Sequence, residues 1–447
     1  MTRFESVIPL VWRGMMAGLL LSGATFSFAA GTSSYVSPTG NDQNTGAQAK
    51  PWKSIQKAAN SATPGTTVHV LAGMSAEQVT VGVSGNAALG LISFTGENAV
   101  LDFAAHPIKA GQTGAFHIDG KSYLKISGFE IRNDIAKAAT AVPVGIHVRG
   151  AAHHIEISGN LIHHITNNIN ANSNAHGIAV YGTGRTAATA IHDLLIANNE
   201  LHSLKLGASE SLVVNGNVDG FTIQGNSVHD CNNIAIDAIG FEGTSIAPFD
   251  QTRNGVIAHN TIARIDSRGN PAYGNDRSAD GLYVDGGKSI RIDTNSVRLC
   301  NIGIEVASEH KGVFSSEVTV INNTVSNCHT VGLSLGGYDT RRGGTRNCII
   351  QQNTFRGNDT DANGSGELQL QYQVTGNMIQ NNTFWSTNQN VFISNPFKTT
   401  IGNIVDNNTS SSPGGANAST WTWNNIEYND FATYKRSTGN DAHSLFR

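Results

Sequence analysis

Acidic residues recur at matching places in three strand-like segments of the chain. They are Asp237 in NIAIDA (233–238), Asp285 in GLYVDG (281–286) and Glu305 in GIEVAS (303–308). Neighbouring carboxyl groups whose pKa values differ can divide the roles of proton donor and nucleophile or base. Carboxylate oxygens are also the preferred ligands of Ca²⁺. The residues therefore raise two kinds of chemistry, acid–base catalysis and calcium binding.

The alternation of side chains along these segments predicts the distances between the carboxyls. In our alignment Asp237 and Asp285 share one outward column, with Cα atoms about 5 Å apart. Asp285 and Glu305 differ by one segment and two residues, or about 8 Å between Cα atoms. Their carboxyls could then lie roughly 5–9 Å apart, a range that covers retaining and inverting glycosidases. We expect Asp285 and Glu305 to be a catalytic pair and Asp237 to tune the pKa of Asp285.

Further polar residues and two insertions surround the same segments. The residues expected to bind sugar or to tune the acids are Glu309, His310, Tyr283 and Tyr181. The floor between them consists of small residues, and the insertions 239–254 and 264–279 border it. An acidic centre with a small floor and loop walls predicts a cleft for a polysaccharide or oligosaccharide. The alternative is an acidic patch that serves only solubility.

One repeat would position these residues. A short apolar strand, a turn, a second strand and an Asn recur, and the aligned Asn residues are 26 to 39 positions apart. They are Asn160, Asn199, Asn226, Asn260, Asn295, Asn323, Asn353, Asn382 and Asn408. A period near 30 with alternating apolar residues predicts a β-solenoid. Because stacked strands lie about 4.8 Å apart, we expect the Asn amides to form a hydrogen-bonded ladder.

The repeat resembles the single-stranded right-handed parallel β-helix of pectate-lyase-like proteins over residues 33–410. The resemblance implies an all-β solenoid, which we expect to have ten to twelve coils. Residues 280–312 resemble the paired strands of β-helix glycoside hydrolases such as the β-xylosidases, in which an Asp and the Glu of the next strand are catalytic. Asp285 and Glu305 match those positions. The resemblance thus implies a secreted glycoside hydrolase that requires no cofactor.

Two alternatives stay open. ADGL (279–282) also resembles the calcium-binding strand of one pectate lyase class, which implies a calcium-dependent pectate- or alginate-type lyase or an epimerase. Under that alternative the Ca²⁺ ligands would be Asp237, Asp280 and Asp285. The class has a catalytic Lys where this chain has Ser334, so the basic residue would have to be Lys288, Lys311 or Arg277. The other alternative is a non-catalytic polysaccharide-binding or envelope scaffold.

The two ends of the chain differ from the repeat. Residues 1–29 have the basic start, the apolar run and the small residues before Ala29 that are typical of a signal peptide. We expect a secreted or periplasmic monomer with no membrane span in the mature chain, a β-helix over 30–410 and a linker with a tail over 411–447. A helix over 52–62 is expected to cap the first coil. The aromatic tail residues 421–434 are expected to form a lid, with a sugar-binding strip as the alternative.

Charge, cysteine and histidine usage exclude several classes of function. With 29 Lys and Arg against 33 Asp and Glu, the net charge of −4 excludes a basic nucleic-acid surface and a membrane surface held by charge. Cys231, Cys300 and Cys328 occupy an inward apolar position, which favours free thiols over a Cys300–Cys328 disulfide. No CxxC or HExxH motif supports a transition-metal site. The pairs 153–154 and 163–164 are expected to be solvated turn histidines.

Overall fold

The computed structural model describes residues 31–105, 107, 114–398 and 400–447. The signal peptide predicted over 1–29 lies outside these residues. The chain forms a parallel β-helix of about 13 turns, which confirms the predicted all-β solenoid. The ten to twelve coils expected from the sequence are too few, because the coils before residue 145 do not contain the complete repeat phrase. No helix in the described residues is both long and apolar enough to cross a membrane.

The helices and strands are short and numerous. The part of the chain that the structure describes has two α-helices, α1 (Ile55–Ser61) and α2 (Phe431–Thr438), and two 3-10 helices, Ala187–Thr189 and Ala416–Ala418. The strands of the first half are β1 (Ser33–Val36), β2 (Thr67–Val70), β3 (Gly73–Ser75), β4 (Val79–Val81), β5 (Ile92–Asp102), β6 (Phe116–Asp119), β7 (Leu124–Arg132), β8 (Val144–Gly150), β9 (His153–Ser158), β10 (Leu161–His163), β11 (His176–Gly182), β12 (His192–Ala197), β13 (Glu200–His202), β14 (Leu212–Gly216), β15 (Asp219–Gln224), β16 (Ser227–Cys231), β17 (Ile236–Ile239), β18 (Arg253–Ala258) and β19 (Thr261–Ile265). Those of the second half are β20 (Asp280–Asp285), β21 (Arg291–Asp293), β22 (Ser296–Cys300), β23 (Ile302–Ala307), β24 (Phe314–Ser316), β25 (Thr319–Ile321), β26 (Thr324–Ser326), β27 (Val331–Leu335), β28 (Gly344–Arg346), β29 (Ile349–Gln351), β30 (Thr354–Arg356), β31 (Leu368–Leu370), β32 (Val374–Thr375), β33 (Met378–Gln380), β34 (Thr383–Trp385), β35 (Val391–Ser394), β36 (Ile404–Asp406), β37 (Thr409–Ser411), β38 (Thr420–Trp423), β39 (Ile426–Tyr428) and β40 (Leu445–Phe446).

Among the described residues, three sheets run along the solenoid. A sheet of 13 strands carries the acidic segments and runs through β8, β11, β14, β17, β20, β23, β27 and β31. A sheet of 24 strands and a sheet of 3 strands form the other faces. On the 13-stranded sheet the inward residues Leu282 and Val284 of β20 stack on Ile304 and Val306 of β23 in the shared core. The residues between them point outward, as the alternation predicts.

The Asn ladder is present over its whole predicted length. Each Asn amide donates to the side-chain oxygen of the Asn in the next coil, at 2.9 to 3.2 Å from Asn160 to Asn408. The amide of Asn295, for example, also donates to the carbonyl oxygen of Ile257 at 2.9 Å. Because the ladder is buried, it satisfies backbone groups at the bends that water cannot reach.

The predicted register of Asp237 is wrong. Asp237 pairs with Tyr283, not with Asp285, so the two carboxylates do not share a column. The segment 233–238 has apolar residues at 234, 236 and 238, and its alternation therefore fits two registers. The chain uses Ile236 and Ala238 as the inward pair, whereas Ile234 lies before the strand.

Both ends of the solenoid carry additional elements. Helix α1 begins after Ser54, whose hydroxyl accepts the Lys57 N–H, and it contacts β1 and β4. In the tail, Trp421 stacks on Phe392 of β35 with ring centroids 5.0 Å apart. Strand β40 pairs with β37, and β39 pairs with β38 in antiparallel orientation. Closure of the first coil and a lid at the last remain predictions, and the buried Trp421 offers no face for a sugar.

The cysteines follow the sequence-based expectation. All four are free and buried. Cys231 and Cys300 each pair with Ile265 of the coil between them, which confirms their inward apolar position. The prediction of turn histidines is wrong for His153 and His154, which begin β9, and for His163, which ends β10. His154 and His164 have positive φ angles of 51° and 55°. Stacking of histidine rings between coils was not predicted.

Candidate active site

An open cavity of about 460 Å³ lies on the outer face of the 13-stranded sheet. We call it the acid cavity. Its lining is Ile234, Tyr273, Arg277, Ser278, Asp280, Tyr283, Ile302, Glu305, Glu309, Thr330, Tyr338, Gln369 and Gln371. The insertion 264–279 forms one wall, as predicted, whereas the insertion 239–254 supplies no lining residue.

Glu305 is one of the carboxyl groups that line the acid cavity. It is an outward residue of β23, between Tyr283 on β20 and Ser334 on β27. The Ser334 hydroxyl donates to Glu305 Oε1 at 3.1 Å. Glu305 is only 8 % exposed, and burial raises the pKa of its carboxyl to about 7. A carboxyl group with that pKa carries a proton on a useful fraction of molecules at neutral pH, as a general acid must.

Asp280 supports Glu305 from the start of β20. It is 2 % exposed, and its carboxyl lies close enough to the Glu305 carboxyl for each to shift the pKa of the other. Burial and the neighbouring Glu305 charge raise the pKa of Asp280 well above its usual range. The direction of this shift favours the protonated form of Asp280 beside Glu305. Its Oδ1 has no hydrogen-bond partner among the described residues.

Glu309 and Asp285 are linked through the backbone. Asp285 Oδ1 accepts the Glu309 N–H at 2.7 Å. Asp285 is 4 % exposed and does not line the acid cavity, whereas the Glu309 side chain lines it and is 44 % exposed. Burial raises the pKa of Glu309, and the Arg342 guanidinium, 4.0 Å from its Oε2, opposes that rise. Burial and the Glu309 charge raise the pKa of Asp285 well above its usual range.

Three of the predicted sugar-binding or tuning residues, Asp237, Tyr181 and His310, do not line the acid cavity. Asp237 is 2 % exposed, and its pKa is raised well above its usual range by burial and then by the charges of Glu210 and Asp285. The Tyr181 hydroxyl contacts His176 Nε2 at 3.3 Å. Neither Asp237 nor Tyr181 lines the acid cavity, whereas Tyr283 does.

The calcium ligands expected under the lyase alternative do not form one set. Asp280 and Asp285 are the two ends of β20, and five residues of strand span about 16 Å. One ion cannot contact both carboxylates. The predicted His310 instead has a ring nitrogen within 4.8 Å of carboxylate oxygens of Asp285 and Glu242.

The basic residues considered for a lyase are largely neutralised. Arg277 lines the acid cavity, but its guanidinium is paired with Asp361 and lies 3.6 Å from Asp266. Lys288 lies 3.4 Å from Glu317 and is not part of the lining. Lys311 does not line the cavity either.

The sequence analysis missed several lining residues. Gln369 and Gln371 lie on and just after β31, and Tyr273 and Tyr338 lie in loops. Both Gln residues alternate with inward Leu368 and Leu370, so the column pattern could have identified them. The two Tyr residues carry no such signal because their loops lack a period.

Comparison with known proteins identifies the family. Residues 114–355 match the model of the right handed beta helix region, which is more than half of the chain. The chain belongs to the right-handed β-helix family. A relative in this family, the uncharacterized protein YwoF of Bacillus subtilis (strain 168), is 39 % identical over 414 residues, which covers 92 % of this β-helix chain and 87 % of YwoF.

Solved structures share the right-handed β-helix at low sequence identity. The lacto-N-biosidase of family GH136 from Eubacterium ramulus superposes with a TM-score of 0.56 at 14 % identity, covering 81 % of this chain and 65 % of that one. The chain thus spans less than two-thirds of the lacto-N-biosidase. The A-module of the Azotobacter vinelandii mannuronan C-5 epimerase AlgE6 has a TM-score of 0.59 at 14 % identity, covering 88 % and 92 %. At this identity the similarity establishes the fold alone.

Proposed function

We propose that this chain is a carbohydrate-active enzyme that hydrolyses a glycosidic bond in the acid cavity. The observation that carries the proposal is the buried Glu305 carboxyl with a pKa of about 7, beside the more exposed Glu309. Two carboxyl groups in such different surroundings can act as acid and as nucleophile or base. The lacto-N-biosidase and the mannuronan epimerase support the general class, because both have the same fold and names that denote carbohydrate chemistry.

The assignment of roles follows from which groups reach the cavity. Glu305 donates its proton to the oxygen of the leaving sugar, and Asp280 holds it in place. Glu309 supplies the second carboxylate, since it lines the cavity and Arg342 favours its ionised form. Asp285 acts as a positioning residue by accepting the Glu309 N–H. The pair Asp285 and Glu305 expected from the sequence is the competing assignment.

The charge of the cavity favours a neutral glycan. Glu309 and the ionised fraction of Glu305 make the cavity negative, whereas Arg277 is already paired with Asp361 and Asp266. A polyuronate would bring further negative charge to this surface, which is unfavourable without a cation. The amides of Gln369 and Gln371 can exchange hydrogen bonds with sugar hydroxyls. These observations disfavour the lyase and epimerase alternatives.

The test is a screen of the purified chain on neutral oligosaccharides and polysaccharides beside pectate and alginate. We expect new reducing ends from a neutral glycan, without a chelator-sensitive step. The Glu305→Gln variant should lose about 10²-fold or more of that turnover, the usual contribution of one acid–base group. Glu317→Gln is the matched control, because Glu317 is an exposed carboxylate outside the cavity.

Three other results would contradict the proposal. An ultraviolet-absorbing unsaturated product from a uronate that requires Ca²⁺ would indicate a lyase. Glycan binding with no turnover on any substrate would indicate a scaffold. Equal turnover in Glu305→Gln and wild type would remove Glu305 from the mechanism.

A further inference from the structure

A cluster of histidines lies on the 24-stranded sheet, apart from the acid cavity. His153 and His154 begin β9, and His192 begins β12 in the next coil, where Asp193 follows it. His153 and His192 are direct neighbours across the two strands. Their imidazole rings stack with centroids 4.9 Å apart and an angle of 4° between the planes. Three imidazoles and one carboxylate therefore meet within one coil step.

The donor atoms of the cluster form a continuous series. His153 Nδ1 lies 2.9 Å from His154 Nδ1, which lies 3.5 Å from Asp193 Oδ2, and that oxygen lies 2.7 Å from His192 Nδ1. In a tetrahedral zinc site with bonds of about 2.0–2.1 Å, neighbouring ligand atoms are about 3.3 Å apart. The three distances in this cluster, 2.7, 2.9 and 3.5 Å, lie on both sides of that ligand–ligand distance. Of two ring nitrogens facing each other at 2.9 Å, at least one presents a lone pair.

The surroundings hold one ligand in place and leave one side accessible. Tyr123 of the preceding coil stacks on the His154 ring with centroids 4.3 Å apart, which fixes the orientation of that ring. In the following coil Gly220 aligns with Asp193, and a side chain built at Gly220 would meet no atom within 4 Å. The cluster is thus packed on one flank and open on the other.

We propose that His154, His192 and Asp193 bind a divalent transition-metal ion of the Zn²⁺ class, with His153 adjacent as a further donor. Donor atoms of these three residues lie within 4.8 Å of one another. Imidazole nitrogens with one carboxylate suit Zn²⁺, Ni²⁺ or Cu²⁺, whereas Ca²⁺ and Mg²⁺ prefer oxygen ligands. Water completes the coordination. Because the ligands come from two coils, the ion joins those coils on the outer surface.

A second histidine stack provides a matched control. His163 and His202 also stack between coils, with centroids 4.8 Å apart and an angle of 3°. Among the described residues, neither His163 nor His202 lies close to two other residues that could bind the same metal ion. The two stacks therefore share ring packing and differ in the convergence of a third ligand.

The experiment titrates the full metal-free chain, produced without a polyhistidine tag, with Zn²⁺ by isothermal calorimetry. We expect one equivalent of tight binding that excess Mg²⁺ does not displace. His154→Asn and His192→Asn should each weaken Zn²⁺ binding by at least roughly 10-fold. Loss of a residue that only holds a metal ligand in place already costs that much affinity, and loss of a ligand should cost no less. His202→Asn should bind as wild type does. Asn tolerates the positive φ of residue 154, so folding is expected to be unaffected.

Thermal unfolding gives a second measurement. Zn²⁺ should raise the melting temperature of wild type and of His202→Asn, and should raise it much less in His154→Asn and His192→Asn, because only a bound ion stabilises the folded state. Metal-free melting curves of all four proteins should coincide. The proposal is overturned by absence of Zn²⁺ binding in wild type. Equal binding in wild type and in both ligand variants, or equal loss in His202→Asn, would also overturn it.

Discussion

The carboxyl groups of Asp280 and Glu305 both line the acid cavity, and each shifts the pKa of the other. Of two carboxyl groups that interact in this way, at least one is favoured to keep a proton. Asp280 is the more deeply buried of the two, whereas Glu305 also accepts a hydrogen bond from Ser334. The Glu305 carboxyl thus has, in Asp280, a neighbouring carboxyl whose raised pKa favours its protonated form.

Removal of the Ser334 hydroxyl should shift the pH dependence of activity. The hydrogen bond from Ser334 favours the ionised form of Glu305 and therefore lowers its pKa. Without it, the pKa of Glu305 should rise above about 7, and the protonated acid should persist to higher pH. The descending limb of kcat/KM against pH should move to higher pH in Ser334→Ala. A limb that stays in place or moves to lower pH would contradict the role of Glu305 as the acid.

Variants of Glu309 and Asp285 should separate the two possible catalytic pairs. If Glu309 supplies the second carboxylate, Glu309→Gln should lower kcat by about 10²-fold or more. Asp285→Asn keeps an oxygen that can accept the Glu309 N–H, so its loss should be clearly smaller. Single-turnover kinetics on the substrate found by the screen would measure both. The opposite ranking would favour the pair Asp285 and Glu305.

The raised pKa values of Glu210 and Glu367 should make the chain less stable as the pH rises towards about 8. Burial raises the pKa of Glu210 to about 8 and that of Glu367 to about 8. In the unfolded chain both groups lose their protons near pH 4.3. The folded chain therefore holds more protons between that pH and about 8, and its stability falls as pH rises through this window.

Denaturant unfolding at pH 5 and pH 8 would measure this dependence. Glu210→Gln and Glu367→Gln should each reduce the loss of stability between the two pH values, because Gln does not titrate. Glu317→Gln should not reduce it, since Glu317 is exposed and its pKa is lowered. A wild-type chain of equal or greater stability at pH 8 would refute the prediction.

The middle of the Asn ladder should contribute measurably to stability. Asn295→Ala removes the acceptor of the Asn260 amide and the donor to Asn323, at 3.0 and 2.9 Å. Leaving buried polar groups unpaired costs about 1–3 kcal/mol of unfolding free energy. Equilibrium urea unfolding should report that loss, and the exposed loop variant Asn275→Ala should leave the midpoint unchanged. A wild-type midpoint in Asn295→Ala would argue against the burial of the ladder.

The repeat made the fold predictable, but it did not fix every register. The Asn ladder could be predicted because each Asn follows a strand in which the alternation of apolar and polar residues fits only one register. Asp237 could not be placed, because three apolar residues at 234, 236 and 238 allow two solutions and only packing against β20 decides between them. The loop residues of the acid cavity have no period, and their arrival at the cavity depends on how the insertion 264–279 folds.

The histidine cluster illustrates a different limit. Metal motifs such as HExxH are recognised by spacing within one helix, whereas His153 and His192 are 39 residues apart and meet because their strands are in register. In a solenoid, residues one coil apart are neighbours even where the sequence between them has no motif. A search for sites in this fold therefore needs aligned coils instead of contiguous sequence.

The tail strands also affect what the molecule can build with its own copies. A stack of parallel strands ends in unpaired N–H and C=O groups that would accept another chain. Here β39 turns back antiparallel on β38, and β40 covers β37, so the last rung of each large sheet comes from the tail. Each coil of the chain pairs with the next through parallel strands. Without this tail, the last coil could pair in the same way with the first coil of another molecule, and repeated pairing would form a fibre. If the tail closes the last coil as predicted, residues 420–446 prevent this end-to-end self-assembly.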